Sequence, residues 1–195
     1  MPYEERTFTC REYISEHNRV LERLDYDSLA KAIDMVGDAF NQQKKIITCG
    51  NGGSASTASH YITDWTKMIS LETNEKFRGF SLVDNVGLIT AYGNDLSYED
   101  VFSGQCKALL EGGDLLIAVS GSGNSPNILR ALRQANELGA RTLGILGYDG
   151  GEAGKIAHHS FIVPSFDMQV CEDIHLMFGH MVMKRFCQLD IRGVV

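Results

Sequence analysis

The chain has 195 residues, which is enough for one well-buried domain, and no low-complexity linker or charge block divides it. Its net charge of −7 argues against a surface for nucleic acid or for an anionic membrane. No apolar run reaches the ~18 residues of a membrane span and the N-terminus does not resemble a secretion signal, so we expect a cytoplasmic protein. The five cysteines are odd in number and lack CxxC spacing, which argues against a disulfide framework and a thiolate zinc site.

Two helices are predicted ahead of the first strand. Apolar residues recur at roughly helical spacing from about 8 to 24, and again after Ser28, which we expect to cap the second helix. Strands and helices then alternate. The strands are predicted at 45–49, 79–83, 115–119, 141–146 and 160–163. The helices between and after them are predicted to run from the first loop to 65 and over 86–92, 98–110, 127–138 and 169–189.

This alternation of apolar strands with helices is typical of a parallel sheet covered by helices on both faces. We therefore expect an α/β fold, a three-layer α-β-α sandwich around a five-stranded parallel sheet, with two N-terminal helices and a long C-terminal helix. Ligands of such sheets bind beyond the carboxyl ends of the strands. Two glycine-rich loops of this chain would lie there.

The first of these loops follows the strand predicted at 45–49. The run from Ile46 to His60 reads IITCGNGGSASTASH, an apolar strand joined through three glycines and Ser54 to a helix-like sequence. Backbone N–H groups and the positive end of the helix dipole would meet at Ser54, which favours an anion such as phosphate. A tight turn capped by serine explains the same residues equally well.

The second loop follows the strand predicted at 115–119 and favours the phosphate interpretation. It reads SGSGNS from Ser120 to Ser125, so several hydroxyls and backbone amides could converge on one oxyanion. Pro126 suits the first turn of the next helix. Neither loop has the spacing of a P-loop or of the dinucleotide fingerprint, so nucleotide binding is disfavoured.

Candidate proton-transfer groups lie on two of the predicted helices. His60 and Asp64 are four residues apart and share one helical face near the first loop. The last helix carries Glu172, His175 and His180, with Glu172 and His180 roughly along one side. On residue type alone, each of these is more readily explained by capping, by a partner of the helix dipole or by a satisfied polar contact than by a functional role.

Five motifs together resemble the sugar isomerase (SIS) domain family. They are GNGGSA, the GND at 93–95, SGSGNS, GYDGG at 147–151 and the EDIHLMFGH of the last helix. Within that family the chain is similar to the phosphoheptose isomerase branch, and the resemblance covers nearly its whole length. It implies a flavodoxin-like SIS fold, one domain over 1–195, and a homotetramer with active sites at subunit interfaces, in which 1–44 serve oligomer packing.

The resemblance also implies an activity and a set of site residues. The activity is conversion of sedoheptulose 7-phosphate to D-glycero-D-manno-heptose 7-phosphate through an enediol, with Asp64, His180 and Asp95 in catalysis. Such an isomerisation needs one group as base and another that protonates or polarises the carbonyl. A zinc ion would be held by His60, Asp64, Glu172 and His180. The implied substrate-binding residues are Asn51, Gly52, Gly53, Ser54, Asn94, Ser120, Gly121, Ser122, Ser125 and Glu172.

Three positions depart from the family pattern. Asp64 stands where the family usually has glutamate, Glu172 where it has glutamine, and Met68 where it commonly has arginine. These changes leave open an isomerase for another phosphosugar. A phosphosugar-binding regulator or adaptor without activity is the other alternative, although His60, His180 and the carboxylate of Asp64 favour an enzyme.

Overall fold

The computed structural model describes residues 9–187. In this range, helices and strands alternate after two N-terminal helices. The helices are α1 (Cys10–Leu21), α2 (Tyr26–Asn41), α3 (Gly53–Thr73), α4 (Val86–Asp95), α5 (Ser103–Leu109), α6 (Pro126–Glu137), α7 (Ala153–Ile156) and α8 (Met168–Cys187), with a 3₁₀ helix at Tyr98–Asp100. The strands are β1 (Ile46–Gly50), β2 (Gly79–Ser81), β3 (Leu115–Ser120), β4 (Arg141–Leu146) and β5 (His159–Ile162).

The five strands form one parallel sheet in the order β2-β1-β3-β4-β5, which confirms the predicted sheet. The chain leaves β1 toward one edge of the sheet and β3 toward the other. In a sheet of this order the connections after β1 and β3 diverge, which opens a crevice at the carboxyl ends of these neighbouring strands. Gly50 of β1 is in register with Val119 of β3, so the two glycine-rich loops leave the sheet side by side.

Helices cover both faces of the sheet, as predicted. Along β3, Leu115, Ile117 and Val119 pack under α2, α3 and α8, while Leu116 and Ala118 pack under α5 and α6. This alternation follows from the two-residue period of a strand, and burial on both faces explains why the strands read as continuous apolar runs.

The N-terminal helices pack on the same face as α8. A capping box between Thr9 and Glu12 begins α1, and Asp173 of α8 accepts hydrogen bonds from the hydroxyl of Tyr13 at 2.5 Å and from His17 at 3.0 Å. The cap predicted at Ser28 is wrong by three residues. Asp25 caps α2 by accepting from the Ser28 amide at 2.9 Å, since an aspartate oxygen reaches the free N–H groups of the first turn.

Several other boundaries differ from the prediction. The helix predicted at 98–110 is interrupted, because the Asp100 carboxylate bonds the Ser97 hydroxyl at 2.6 Å and Arg130 at 2.7 Å and so stabilises a separate 3₁₀ turn. The short α7 was not predicted. The predicted end of the last helix at 189, and the beginning of the first at 8, lie outside the described residues. None of the helices between residues 9 and 187 has the length and hydropathy needed to span a bilayer.

Candidate active site

The loop after β1 leads directly into the exposed start of α3. Gly52 is the N-cap residue with φ of +55°, a conformation that glycine adopts without strain. No side chain caps this helix, so its first N–H groups have no side-chain acceptor. Ser54 in the first turn is 5 % exposed. The helix start therefore offers backbone donors and a positive dipole end to an anion.

The loop after β3 uses two of its serine hydroxyls to fold itself. The Gly123 amide donates to Ser120 Oγ at 3.1 Å, and the Asn124 amide donates to Ser122 Oγ at 3.2 Å. Ser125 is the N-cap of α6, yet its side chain accepts no hydrogen bond from the helix. The Ser125 hydroxyl and the first turn of α6 are thus free of the capping contact that serine usually makes there.

A third loop, the GYDGG turn after β4, packs against the SGSGNS loop through backbone hydrogen bonds. The Gly147 amide donates to the Gly121 carbonyl at 3.0 Å, and the Ala153 amide donates to the Gly123 carbonyl at 2.9 Å. Gly123 has φ of +63°, and a Cβ there would collide with the carbonyl of Gly150. The two loops fit backbone against backbone, so their shape depends on the absence of side chains.

A reciprocal pair of amide side chains joins the first loop to the second. Asn51 and Asn127 exchange two hydrogen bonds of 2.9 Å, and the Tyr98 hydroxyl donates to Asn51 at 2.9 Å. Asn51 is predicted to bind substrate through the amides of its loop, and its side chain holds the two loops together. Asn127 and Tyr98 were not identified from the sequence, because contacts 76 and 47 residues apart leave no local pattern.

Three of the predicted site residues meet where α3 packs against α8. The Nε2 atoms of His60 and His180 are 3.2 Å apart, and the Oδ2 atom of Asp64 lies 3.2 Å from His60 Nε2 and 3.8 Å from His180 Nε2. All three side chains are between 29 % and 44 % exposed. The cluster is thus open to a ligand. His60 and Asp64 line a cavity of about 550 Å³, which is also lined by Ser59 and Asp84.

The geometry of this cluster suits a divalent metal ion. One nitrogen or oxygen atom from each residue lies within 4.8 Å of the other two. Ligands at zinc distances of about 2.0–2.1 Å in a tetrahedron are about 3.3 Å from one another, close to the two separations of 3.2 Å seen here. Two imidazoles and one carboxylate also form a donor set that zinc commonly takes at a site with an open fourth position.

Glu172, predicted as a fourth ligand, lies outside this group. Its carboxylate is directly against Gly53, where a Cβ would collide with both oxygens, at the beginning of α3. Eight residues along α8 separate Glu172 from His180, a rise of about 12 Å, so a shared helix side does not bring the two side chains to one point. The structure therefore places the Glu172 carboxylate at the beginning of α3 and His180 farther along the two helices.

Asn94 and Asp95 lie at the end of α4 and are exposed. The Asn94 side-chain amide donates to the Asp95 carboxylate at 2.8 Å. None of the described contacts brings either residue to His60, Asp64 or His180. A catalytic role for Asp95 therefore stays a prediction.

His175 is a buried residue of α8. The side chain is 0 % exposed, and its ring nitrogens make no hydrogen bond of ordinary geometry in the described part of the chain. Burial lowers the pKa of His175 to about 4, and a contact with the Leu146 backbone offsets this only partly. The imidazole is therefore neutral at neutral pH, and its environment is that of a core residue.

Comparisons with known proteins agree with this arrangement. Residues 12–147 match the sequence profile of the SIS domain. A phosphoheptose isomerase of Campylobacter concisus is 37 % identical over 168 residues, 86 % of each chain, and one of Aliarcobacter butzleri is 36 % identical over 171 residues, 88 % of this chain and 87 % of that one. The solved structure of a phosphoheptose isomerase from Neisseria gonorrhoeae superposes with a TM-score of 0.83 at 26 % identity, over 92 % of this chain and 97 % of that one. The chain therefore belongs to the SIS domain family, among the phosphoheptose isomerases.

Proposed function

We propose that the chain is a ketose–aldose isomerase that converts sedoheptulose 7-phosphate to D-glycero-D-manno-heptose 7-phosphate. The observation that carries this proposal is the His60–Asp64–His180 cluster, of which His60 and Asp64 lie on the helix that begins at the first glycine-rich loop and His180 lies on α8. His60 is seven residues from Gly53, about 10 Å along α3. A phosphate at the helix start and a reacting carbon beside the cluster are thus separated by about the length of an extended sugar. The named relatives support the same reaction.

The loops at the carboxyl edge would hold the phosphate. Ser54, with the backbone of Asn51 to Gly53, would bind it from the start of α3, and the SGSGNS loop would bind it from the other side. Binding energy from this remote group would fix the reacting carbons in place, which lowers the barrier without any chemistry at the phosphate. The assigned residues of this subsite are Asn51, Gly52, Gly53, Ser54, Ser120, Gly121, Ser122 and Ser125.

Asp64 and His180 would perform the proton transfers. The Asp64 carboxylate removes the proton from C1, the electron pair of that bond forms the C1=C2 double bond, and the C2 oxygen takes a proton from His180. The enediol then gives its C1 hydroxyl proton to His180, the C1=C2 electron pair takes the proton of Asp64 at C2, and the carbonyl is now at C1. Both groups return to their starting protonation states, and general acid–base catalysis of this kind contributes about 10²–10⁴ in rate.

We further propose that His60, Asp64 and His180 hold a zinc ion. When bound, zinc supplies a Lewis acid that polarises the hydroxyl and carbonyl oxygens. The Asp64 Oδ2 atom faces both imidazoles and would be the ligand atom of this residue. With zinc bound, the metal would take over from His180 the polarisation of the C2 oxygen, because a ligating imidazole nitrogen carries no proton to donate. Glu172 stands apart from these ligands and is assigned to the substrate side.

A homotetramer with shared active sites and a cytoplasmic location complete the proposal. Large apolar side chains are exposed both on α1, at Ile14 (58 %), and near the carboxyl edge, at Leu96 (67 %) and Phe166 (77 %). Such residues favour burial against another subunit. Light scattering after size-exclusion chromatography would report the oligomeric state, and a fully active monomer would contradict the homotetramer.

The cytoplasmic location agrees with the state of the cysteines. Cys49, Cys106 and other cysteines in the described range are free thiols, as in a reducing compartment.

The direct test is turnover of sedoheptulose 7-phosphate, followed by detection of the aldose phosphate. Metal-free, zinc-loaded and chelator-treated protein are compared, with unphosphorylated sedoheptulose and fructose 6-phosphate as alternative substrates. We expect turnover that needs the phosphate and falls on chelation. Activity that survives complete metal removal would contradict the zinc site and leave an acid–base site. If the zinc-loaded protein turned over no ketose phosphate, the isomerase proposal would be wrong and a binding module would replace it.

A further inference from the structure

Each residue of the His60–Asp64–His180 cluster is next in sequence to a residue at the contact between α3 and α8. On α3, His60 precedes Tyr61 and Asp64 precedes Trp65. On α8, His180 follows Gly179. The contact between these helices therefore lies directly under the cluster, and the position of each cluster residue depends on how the two backbones meet.

Two buried side-chain donors of α3 bond backbone carbonyls of α8. The Trp65 indole N–H donates to the Gly179 carbonyl at 2.8 Å, and the Tyr61 hydroxyl donates to the His175 carbonyl. Both aromatic side chains are 0 % exposed. A helix carbonyl has two lone pairs, so each can accept this bond in addition to its bond within the helix. The two carbonyls are four residues apart, about 6 Å along α8, and two fixed points resist both sliding and rolling of the helix.

The two helices also pack closely at this contact. The rings of Tyr61 and Trp65 are stacked at 4.9 Å with an interplanar angle of 15°. A side chain at Gly179 would collide with the Tyr61 ring, so the backbone of α8 lies directly on that ring. The aromatic pair thus lies directly against α8 and also donates two hydrogen bonds to its backbone.

The cluster has little tolerance for movement of α3 against α8. His60 and Asp64 move with α3, whereas His180 moves with α8. The Nε2 atoms of His60 and His180 are only 3.2 Å apart. A displacement near 1 Å at a reacting group can cost about a hundredfold in rate. Partners that orient metal ligands typically contribute about 10–100-fold to metal affinity or activity.

We infer that Tyr61 and Trp65 are positioning residues, whose hydrogen bonds to the α8 backbone fix the distance between His180 and the His60–Asp64 pair. This inference rests on the proposed function for its catalytic consequence, though not for its geometric one. A purely structural role would require only the size and apolarity of the two rings. The positioning role requires the hydroxyl and the indole N–H.

The test uses Tyr61→Phe, which removes only the hydroxyl, and Trp65→Phe, which removes the N–H and part of the ring. The control for lost stability is Phe102→Leu, a buried position on the opposite face of the sheet from α3 and α8. Cobalt(II) is the probe, because its visible absorption reports ligand number and geometry. For each variant we would measure cobalt affinity, the kcat and KM for sedoheptulose 7-phosphate, and unfolding in urea.

We expect Tyr61→Phe to weaken cobalt binding and to lower kcat by about tenfold or more, with KM nearly unchanged because the phosphate loops are untouched. Phe102→Leu should also lower the free energy of unfolding but leave cobalt affinity and kcat within about twofold of the wild type. If the tyrosine and tryptophan variants lost stability but kept cobalt affinity and kcat, the inference would be overturned.

Crystal structures of the wild type and of Tyr61→Phe decide the geometric part independently of activity. An increase in the separation of the His60 and His180 nitrogens supports the inference, and an unchanged separation overturns it. If the wild type bound no cobalt and turned over no ketose phosphate, the proposed function would fail, while this separation would still decide the positioning role.

Discussion

The two halves of the candidate site are built in different ways. At the carboxyl edge of the sheet, the loops after β1, β3 and β4 hold one another through backbone amides and carbonyls, with glycine where a side chain would collide. At the α3–α8 contact, three side chains project from two regular helices and meet at 3.2–3.8 Å. The loop half depends on backbone conformation and on the absence of side chains, whereas the cluster depends on side-chain chemistry and helix placement. Substitutions in the two halves should therefore change different kinetic constants.

The largest effect is expected in the cluster. Asp64→Asn keeps the size of the side chain but removes the base, so we expect kcat to fall by about a thousandfold with little change in KM. Steady-state kinetics on sedoheptulose 7-phosphate would measure both. Asp84→Asn is the matched control, since Asp84 lines the same cavity but bonds the Ser59 hydroxyl. An Asp64→Asn variant with wild-type kcat would contradict the proton-transfer role.

The loop half is tested by two alanine substitutions at glycines of positive φ. Gly123→Ala combines backbone strain with a collision against Gly150, so we expect a loss of about 3 kcal/mol in unfolding free energy and a higher KM. Gly52→Ala has similar strain, but nothing lies within 4 Å of its Cβ, so about 1 kcal/mol should be lost. Urea unfolding compares them. Equal losses would show that backbone packing between the loops contributes little.

Sequence patterns predicted some features of each half of the site and missed others. The strands were located within one or two residues because burial on both faces makes them apolar runs, and glycines marked both loops. The pairing of His60 with Asp64 followed from helical spacing. Helical spacing could not predict where the Glu172 carboxylate lies. Spacing specifies the side of α8 on which a residue lies, but not the direction of its side chain. The Asn51–Asn127 pair escaped prediction since it depends on the sheet order, which brings distant segments together.

A pH-dependent effect on stability should come from the buried His175 of α8. In the unfolded chain a histidine takes up its proton near pH 6.5, whereas burial lowers the pKa of His175 to about 4 in the fold. Because the unfolded state then binds more protons, stability falls with decreasing pH between these values, by about 1.4 kcal/mol per unit and about 3 kcal/mol in all. Above pH 6.5 this group has no effect.

The measurement is urea unfolding of chelator-treated wild type and His175→Leu from pH 7 to 4. The leucine variant should lose less stability over this range, by the amount attributed to His175. Parallel curves for the two proteins would show that His175 is protonated equally in the folded and unfolded states, contrary to its buried environment.

The smallest effect should come from Glu172, whose carboxylate lies against Gly53 where the phosphate is proposed to bind. Two anionic groups at one helix start repel each other, and at a partly exposed site this costs below about 1 kcal/mol. Glu172→Gln should therefore lower KM for the sugar phosphate by about threefold while kcat stays nearly constant. Because salt screens such repulsion, the advantage of the variant should shrink as ionic strength rises. A large fall in kcat or in zinc affinity would instead show that Glu172 turns toward the cluster when substrate or metal binds, and would reassign it to the side-chain half of the site.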